Sequence, residues 1–145
     1  MILHDPSVRD AIKARVKAIP PNAKAKWGSM NVGQMVWHLN AGIETALGTL
    51  KVGDEKAPLP APIMRFMVLY LPWPKNSPTA GVMKATEPRD LETERAKLLS
   101  LIDSFVARPI HGKWPVHPVM GAMSGQDYSR LHARHLNYHL GQFGA

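Results

Sequence analysis

Proline and glycine divide this sequence into stretches in which apolar residues recur every three to four positions. That spacing is typical of amphipathic helices, and no stretch shows the sustained apolar and polar alternation that predicts a half-buried strand. The pattern therefore predicts an all-α fold whose helices pack as a bundle. The expected helices cover residues 6–18, 32–47, 62–70, 88–107 and 125 to about 143, with loops at 51–62, 71–86 and 108–123.

Hydrogen-bonding side chains and glycine mark where these helices begin and end. Asp5 stands before a proline, a common pairing at a helix start, and Ser124 is the expected N-cap of the last helix. Asn31 with Gln34 three residues later resembles a capping box, and Gly48 is an expected helix end. In the helix at 88–107, the helical periodicity predicts that four charged side chains face solvent: Glu92, Glu94, Arg95 and Lys97.

The chain has 145 residues, enough for one domain spanning 1–145 whose core needs no disulfide. It has no cysteine, which excludes disulfides, thiolate metal ligands and a cysteine nucleophile. Its N-terminus lacks the features of a signal peptide, and its most apolar stretch, 59–71, contains Arg65 and is too short to span a bilayer. We expect a soluble cytoplasmic protein with no membrane association.

The net charge of +7 at pH 7 raises a nucleic-acid hypothesis. The basic residues are spread along the chain, however, and their one local concentration has no interleaved aromatic residue apart from Trp27. We therefore favour a solvated basic surface over a nucleic-acid interface. The concentration consists of Arg9, Lys13, Arg15, Lys17, Lys24 and Lys26.

Three histidines on the last helix are the most informative polar residues. His135 and His139 are four residues apart and project within about 40° of each other, so their rings can reach one metal ion. An apolar arc surrounds them, so we expect both rings to point into the core. The alternative is that each ring forms a hydrogen bond to a neighbouring helix or to buried water. By spacing alone, His132 competes with His139 as the partner of His135.

His38 lies on the flank of the apolar stripe of the helix at 32–47. A flank position can still face a neighbouring helix, and Gly42 one turn later leaves room beside it. Periodicity alone does not decide whether His38 is a third ligand.

Four segments together resemble the DUF1569 branch of the DinB/YfiT-like superfamily. They occur in order along the chain at 27–30 (WGSM), 34–39 (QMVWHL), 117–121 (HPVMG) and 135–144 (HLNYHLGQFG), and Ser124 matches as well. The resemblance implies a four-helix bundle of DinB/YfiT-like type, with an extra N-terminal or short connecting helix. It also implies that His38, His135 and His139 bind a divalent ion (Zn, Ni, Fe or Mn), with water completing the coordination shell.

Other positions of the motif have less defined roles. Gln142 has no ligand role, and we expect it to orient a ligand or to cap the helix. Many relatives have a further histidine where this chain has Tyr138, which leaves a role for that position open. Glu44, Asp127 and Tyr138 are candidates for a second catalytic group by residue type alone, and we expect surface or packing roles for them.

Some members of the wider superfamily are thiol-dependent transferases. The resemblance therefore implies a metal-dependent S-transferase or hydrolase that uses a small thiol and an electrophilic small molecule, and it implies a homodimer. An open site of three histidines suits such chemistry, and the missing cysteines agree with a nucleophile that the protein does not supply. Two alternatives are a non-catalytic bundle with a structural metal or none, and a basic nucleic-acid-binding protein.

Overall fold

The computed structural model describes residues 1–53, 56–75 and 85–145, and within these ranges it is helical, with no strand. The predicted all-α class is confirmed. None of the helices in the described ranges combines the length and the apolar character needed to cross a membrane. The helices are α1 (Pro6–Ala18), α2 (Val32–Leu47), α3 (Ala61–Tyr70), α4 (Leu91–Ala107) and α5 (Gly125–Gln142).

The four long helices pack in a closed ring. Helix α2 lies between α4 and α5, and α1 contacts the same two helices from the other side, while the short α3 packs on α5. The apolar faces expected from the sequence meet at the centre of this ring. Fully buried members include Ile12, Val16, Met35, Leu39, Ile43, Leu98, Ile102, Phe105, Leu136 and Leu140.

The predicted caps form as expected. The Asp5 carboxylate accepts a hydrogen bond from the backbone of α1, and the Asn31 side chain forms a capping box at the start of α2. Ser124 caps α5 through a second capping box. Gly48 ends α2 in the left-handed conformation with φ of 81°, which favours glycine.

Two predicted boundaries were wrong by a few residues. Helix α4 begins at Leu91 and not at 88, because the Asp90 carboxylate caps it by accepting from the backbone N–H of Thr93 at 2.9 Å. Helix α3 begins one residue earlier than expected, at Ala61. The predicted loops at 51–62 and 71–86 include residues 54–55 and 76–84, which lie outside the described residues.

The expectation that Glu94 faces water was also wrong. Its side chain is 9% exposed, and its carboxylate accepts a hydrogen bond at 2.7 Å from the Asn40 side chain on α2. The same Asn40 amide donates to the Glu94 carbonyl at 3.0 Å. A buried carboxylate needs such a donor, and this donor comes from a neighbouring helix. The pair therefore fixes the relative position of α2 and α4.

The variant Asn40→Ala is expected to destabilise the fold by about 2–4 kcal/mol, because it leaves the Glu94 carboxylate buried without its donor. The matched control is Lys97→Ala, which breaks the more exposed ion pair between Lys97 and Glu44 on the same two helices and should cost less than about 1 kcal/mol. Urea unfolding measures both free energies of unfolding. Equal losses in the two variants would contradict a structural role for the buried pair.

Candidate metal centre

The structure brings together the three histidines that the sequence nominated. His38 comes from α2, and His135 and His139 come from α5. One nitrogen from each ring lies within 4.8 Å of the other two, and Nε2 of His38 lies 2.8 Å from Nε2 of His135. The ring centroids are 4.7–4.8 Å apart in all three pairs. The three imidazoles therefore converge on one point between α2 and α5.

Gly42 allows this convergence. A Cβ atom at this position would lie 3.2 Å from both Cε1 and Nδ1 of His135, closer than ordinary van der Waals contact. The space that we expected beside His38 is thus occupied by the ring of His135 on the facing helix. A larger residue on α2 would push the His135 ring away from His38.

The surroundings keep the ring nitrogens of α5 neutral. Burial, followed by the proximity of His38 and His139, lowers the pKa of His135 well below its ordinary value. Burial and the proximity of His38 lower the pKa of His139 to about 4, although its bond to Gln142 opposes the shift. Neutral imidazole is the form that binds metal ions, so both rings are ready to bind at pH 7.

Gln142 determines which nitrogen of His139 faces the site. Its side-chain NH₂ donates to the backbone carbonyl of Trp27 at 2.7 Å, and a carbonyl can only accept. The Gln142 Oε1 is thereby directed at Nδ1 of His139, 2.7 Å away, and Oε1 can only accept as well. Nδ1 of neutral His139 must therefore carry the proton, which leaves the lone pair on Nε2. The expectation that Gln142 orients a ligand agrees with this geometry.

The variant Gln142→Leu is expected to weaken binding of Zn²⁺ by about 10–100-fold, the usual effect of losing a partner that orients a ligand. Gln142→Glu should retain most of the affinity, because its carboxylate can still accept from Nδ1 of His139. Competition with a coloured chelator measures both affinities. Equal, unaltered affinity in wild type and Gln142→Leu would show that the bond to His139 has no role in metal binding.

His132 lies outside this cluster. Its ring centroid is 6.5 Å from that of His135, and it packs against Tyr128 and Phe105. Burial, then the proximity of His117, lowers the pKa of His132 to about 3. The structure therefore brings His139, and not His132, together with His135 and His38.

The three candidates for a second catalytic group all have structural contacts. Glu44 forms an ion pair with Lys97 at 2.9 Å, and Asp127 belongs to the capping box of α5. The Tyr138 hydroxyl accepts from the Trp27 indole at 3.2 Å and donates to the carbonyl of Pro74 at 3.0 Å. Tyr138 therefore joins two loops beside the histidines, and its proton is already committed.

A cavity of about 610 Å³ opens onto the three histidines. All three rings line it, and Trp73 stands beside His135 with ring centroids 5.9 Å apart. The size is ordinary for a site that binds a small molecule. Apolar side chains make up much of the remaining wall, including Met64, Met67, Val68, Leu71, Val119, Met120 and Leu131.

The cavity is lined by one histidine, His117, for which sequence reasoning gave no role. His117 and His132 both line it, and His117 entered the sequence argument only as part of a family motif. The proline and glycine after His117 could have indicated a tight turn, and His117 is bridged to Gly121 by a pair of backbone hydrogen bonds. That the turn lies against the helix bearing the ligands depends on long-range packing, which local sequence does not show.

The family comparison confirms the DUF1569 part of the resemblance and covers nearly all of the chain. Residues 3–145 match the family described as "Protein of unknown function (DUF1569)". No curated protein and no solved structure shows a significant match to the sequence. With 143 of its 145 residues inside the family match, the chain belongs to the DUF1569 family.

Proposed function

We propose that His38, His135 and His139 bind a divalent metal ion and that this protein is a metal-dependent enzyme of the DinB/YfiT-like type. The observation that carries the proposal is the convergence of three imidazoles at the wall of an open cavity. Catalytic metal sites commonly have three protein ligands and one position left for water or substrate, whereas structural sites are closed by four ligands. The arrangement matches the catalytic pattern.

The residues present fit such an ion. Two nitrogens bound at about 2.0–2.1 Å in tetrahedral geometry lie about 3.3 Å apart. In the structure, the Nε2 atoms of His38 and His135 are 2.8 Å apart, and the candidate nitrogens of all three rings lie within 4.8 Å of one another. The expected value of about 3.3 Å lies between these two distances. A purely imidazole donor set suits Zn, Ni or Fe better than Mn, which prefers oxygen ligands. We therefore rank Mn last among the four candidate ions.

The packing of the long helices supports the DinB/YfiT-like bundle. Helices α1, α2, α4 and α5 each contact two others of the set, which is the arrangement of a four-helix bundle. Helix α3 then corresponds to the expected short connecting helix. The candidate ligands project from α2 and α5, which are neighbours in the bundle and pack directly against each other.

The reaction we propose is transfer of a small thiol to an electrophilic carbon. The chemistry that a bound divalent ion supplies is a lowered pKa for a thiol or water in the site. A bond forms between the thiol sulfur and the carbon, the leaving group departs with the bonding electron pair, and the thiol proton passes to the leaving group or to solvent. In the hydrolase version, water takes the place of the thiol.

The chain's own residues contribute positioning and exclusion of water. Gln142 holds His139 with Nε2 towards the site, and Gly42 lets His135 approach His38. The rings of Trp73 and Tyr138 pack 5.4 Å apart and line the cavity together with the three histidines, where they replace part of the water around a bound molecule. No cysteine is available as a protein nucleophile, which agrees with a thiol that enters from outside.

The experiment that tests this function is turnover of an aryl halide with a panel of small thiols, including cysteine and glutathione. Product should form above the uncatalysed rate only when three components are present together. These are a thiol, wild-type protein and one of the ions Zn²⁺, Ni²⁺ or Fe²⁺. The matched control is His135→Ala, assayed with the same thiols and ions. Release of halide without thiol would favour the hydrolase, and equal rates for wild type and His135→Ala would reject both enzymes.

The homodimer is also a proposal, and α3 offers the surface that supports it. Ile63, Phe66 and Tyr70 follow one another at helical spacing and are about half exposed, with Phe66 at 55%. An apolar helix face of this kind is typical of a protein interface. Phe66→Lys should convert the dimer into a monomer in sedimentation equilibrium, whereas a monomeric wild type would reject the dimer.

A further inference from the structure

The cavity contains two histidines that the proposed metal chemistry does not use. The rings of His117 and His132 both lie near the ring of Tyr128, with centroid distances of 6.3 and 6.4 Å. His132 in turn lies 6.5 Å from the ring of His135. All of these residues line the same cavity. The cavity therefore has two polar regions, the metal-binding triad and the pair of His117 and His132.

The turn that follows His117 selects one tautomer of its ring. Nδ1 accepts hydrogen bonds from the backbone N–H groups of Val119 at 3.0 Å and Met120 at 3.1 Å. A ring nitrogen that accepts carries no proton, so neutral His117 carries its proton on Nε2. Nothing in the described ranges accepts a hydrogen bond from that Nε2–H. His117 thus presents a fixed donor that a molecule in the cavity can use.

His132 is enclosed by neighbouring aromatic rings. It is 4% exposed, and its ring lies parallel to Tyr128 and 5.1 Å from the ring of Phe105. Among residues 1–53, 56–75 and 85–145, no group forms a hydrogen bond with either of its ring nitrogens. The ring also lines the cavity, so a ligand there can form a hydrogen bond with it.

We propose that His117 and His132 line a subsite for the hydrogen-bond-accepting group, carbonyl or carboxylate, of the small molecule that reacts at the triad, and that Nε2–H of His117 is its donor. The inference rests on the proposed function only in naming the triad as the place of reaction. Binding of the oxygen itself uses neutral imidazole groups and requires no metal ion. The ring centroid of His132 lies 6.5 Å from that of His135, within the length of one small molecule.

The subsite is suited to binding and not to proton transfer. Burial lowers the pKa of His117 to about 4, and burial with the proximity of His117 lowers that of His132 to about 3. A general acid or base that works near pH 7 needs a pKa near 7. Both rings instead remain neutral at pH 7, where a neutral N–H group can donate to an oxygen without a net charge in the cavity.

The rest of the cavity indicates the shape of the ligand. Met64, Met67 and Met120 line it, and methionine adapts to apolar groups of varied outline. Lys56 is exposed and also belongs to the lining, so a carboxylate would gain from its charge where a neutral carbonyl would not. We therefore expect a molecule with an apolar body and one acceptor group, a carbonyl or a carboxylate.

The test uses metal-free, ¹⁵N-labelled wild-type protein with benzamide, benzoate and toluene as probes. The ¹⁵N shifts of His117 should show a proton on Nε2 before any probe is added. Benzamide and benzoate should shift that resonance saturably and bind about tenfold more tightly than toluene, which has the same apolar ring and no acceptor. Tighter binding of benzoate than of benzamide would identify a carboxylate, and the reverse order a carbonyl.

Two variants test whether His117 and His132 cause the preference for benzamide over toluene. In His117→Asn the side-chain oxygen can still accept from the backbone two residues on, while the Nε2–H donor is lost. In His132→Phe the aromatic packing is kept. Each should weaken benzamide binding about tenfold and leave toluene unaffected, and exposed His111→Gln is the matched control.

Several results would overturn the subsite: a His117 proton on Nδ1, equal affinities for benzamide and toluene, or unaltered benzamide binding in both variants that fold. If one variant fails to fold, the wild-type spectrum and the other variant still decide. If the protein binds no metal ion but still binds benzamide more tightly than toluene, only the proposed function is rejected. If the protein binds a metal ion but binds benzamide and toluene equally well, only this inference is rejected.

Discussion

Adding Zn²⁺ is expected to raise the melting temperature of wild-type protein, and replacing His135 by alanine is expected to abolish that increase. A ligand at a hundred times its dissociation constant stabilises the folded state by about 2.7 kcal/mol. For a chain of this size that corresponds to an increase of about 5–10 °C. The ring centroid of His135 lies within 4.8 Å of those of both other members of the triad. We expect its removal to weaken Zn²⁺ binding at least about a thousandfold.

The matched control is His132→Phe, on the same helix and next to the same cavity. It should keep the Zn²⁺-dependent increase in melting temperature, because His132 lies outside the cluster of ligand nitrogens. Differential scanning fluorimetry with and without Zn²⁺ measures all three proteins. A similar increase in wild type and His135→Ala would mean that Zn²⁺ stabilises the fold from another site.

The second large effect is acid unfolding of the metal-free protein between about pH 6.5 and pH 4. His117 has a pKa of about 4 and His132 of about 3 in the folded protein, because burial disfavours the charged ring. In the unfolded chain both titrate near 6.5. Below that pH the unfolded state binds more protons than the folded state, so stability falls with decreasing pH until the folded rings are themselves protonated.

One pKa unit corresponds to about 1.36 kcal/mol, so the two rings together destabilise the folded state by several kcal/mol over this range. That is a large part of the stability of an ordinary domain, about 5–15 kcal/mol. Far-ultraviolet circular dichroism against pH should locate the midpoint. His132→Phe should shift the midpoint to lower pH, and exposed His111→Gln should not. A midpoint that both substitutions leave unaltered would contradict the burial of His132.

Local sequence predicted the helices well because their ends depend on local hydrogen bonds. Asp5, Asn31 and Ser124 each bond to a backbone N–H two or three residues ahead, within reach of a pattern read along the chain. The same reasoning missed the cap at Asp90, where Pro88 stands two residues earlier as a competing start signal. The helix itself was predicted correctly, and only its first residue was wrong.

The site was only partly predictable, because its geometry depends on residues far apart in sequence. Spacing along α5 placed His135 and His139 on one face, but His38 lies 97 residues before His135, and the family resemblance was needed to nominate it. Glu94 was placed in water because its buried donor, Asn40, belongs to another helix. The acceptor role of Gln142 depends on the Trp27 carbonyl, 115 residues away.

Elemental analysis of protein purified without added metal tests the central claim most directly. Wild type should contain close to one equivalent of a single first-row divalent ion per chain, and the double variant His135→Ala, His139→Ala should contain almost none. The double variant must be shown to be folded by circular dichroism before the comparison is made. Equally low metal content in wild type and in the folded double variant would contradict the assignment of His38, His135 and His139 as a metal site.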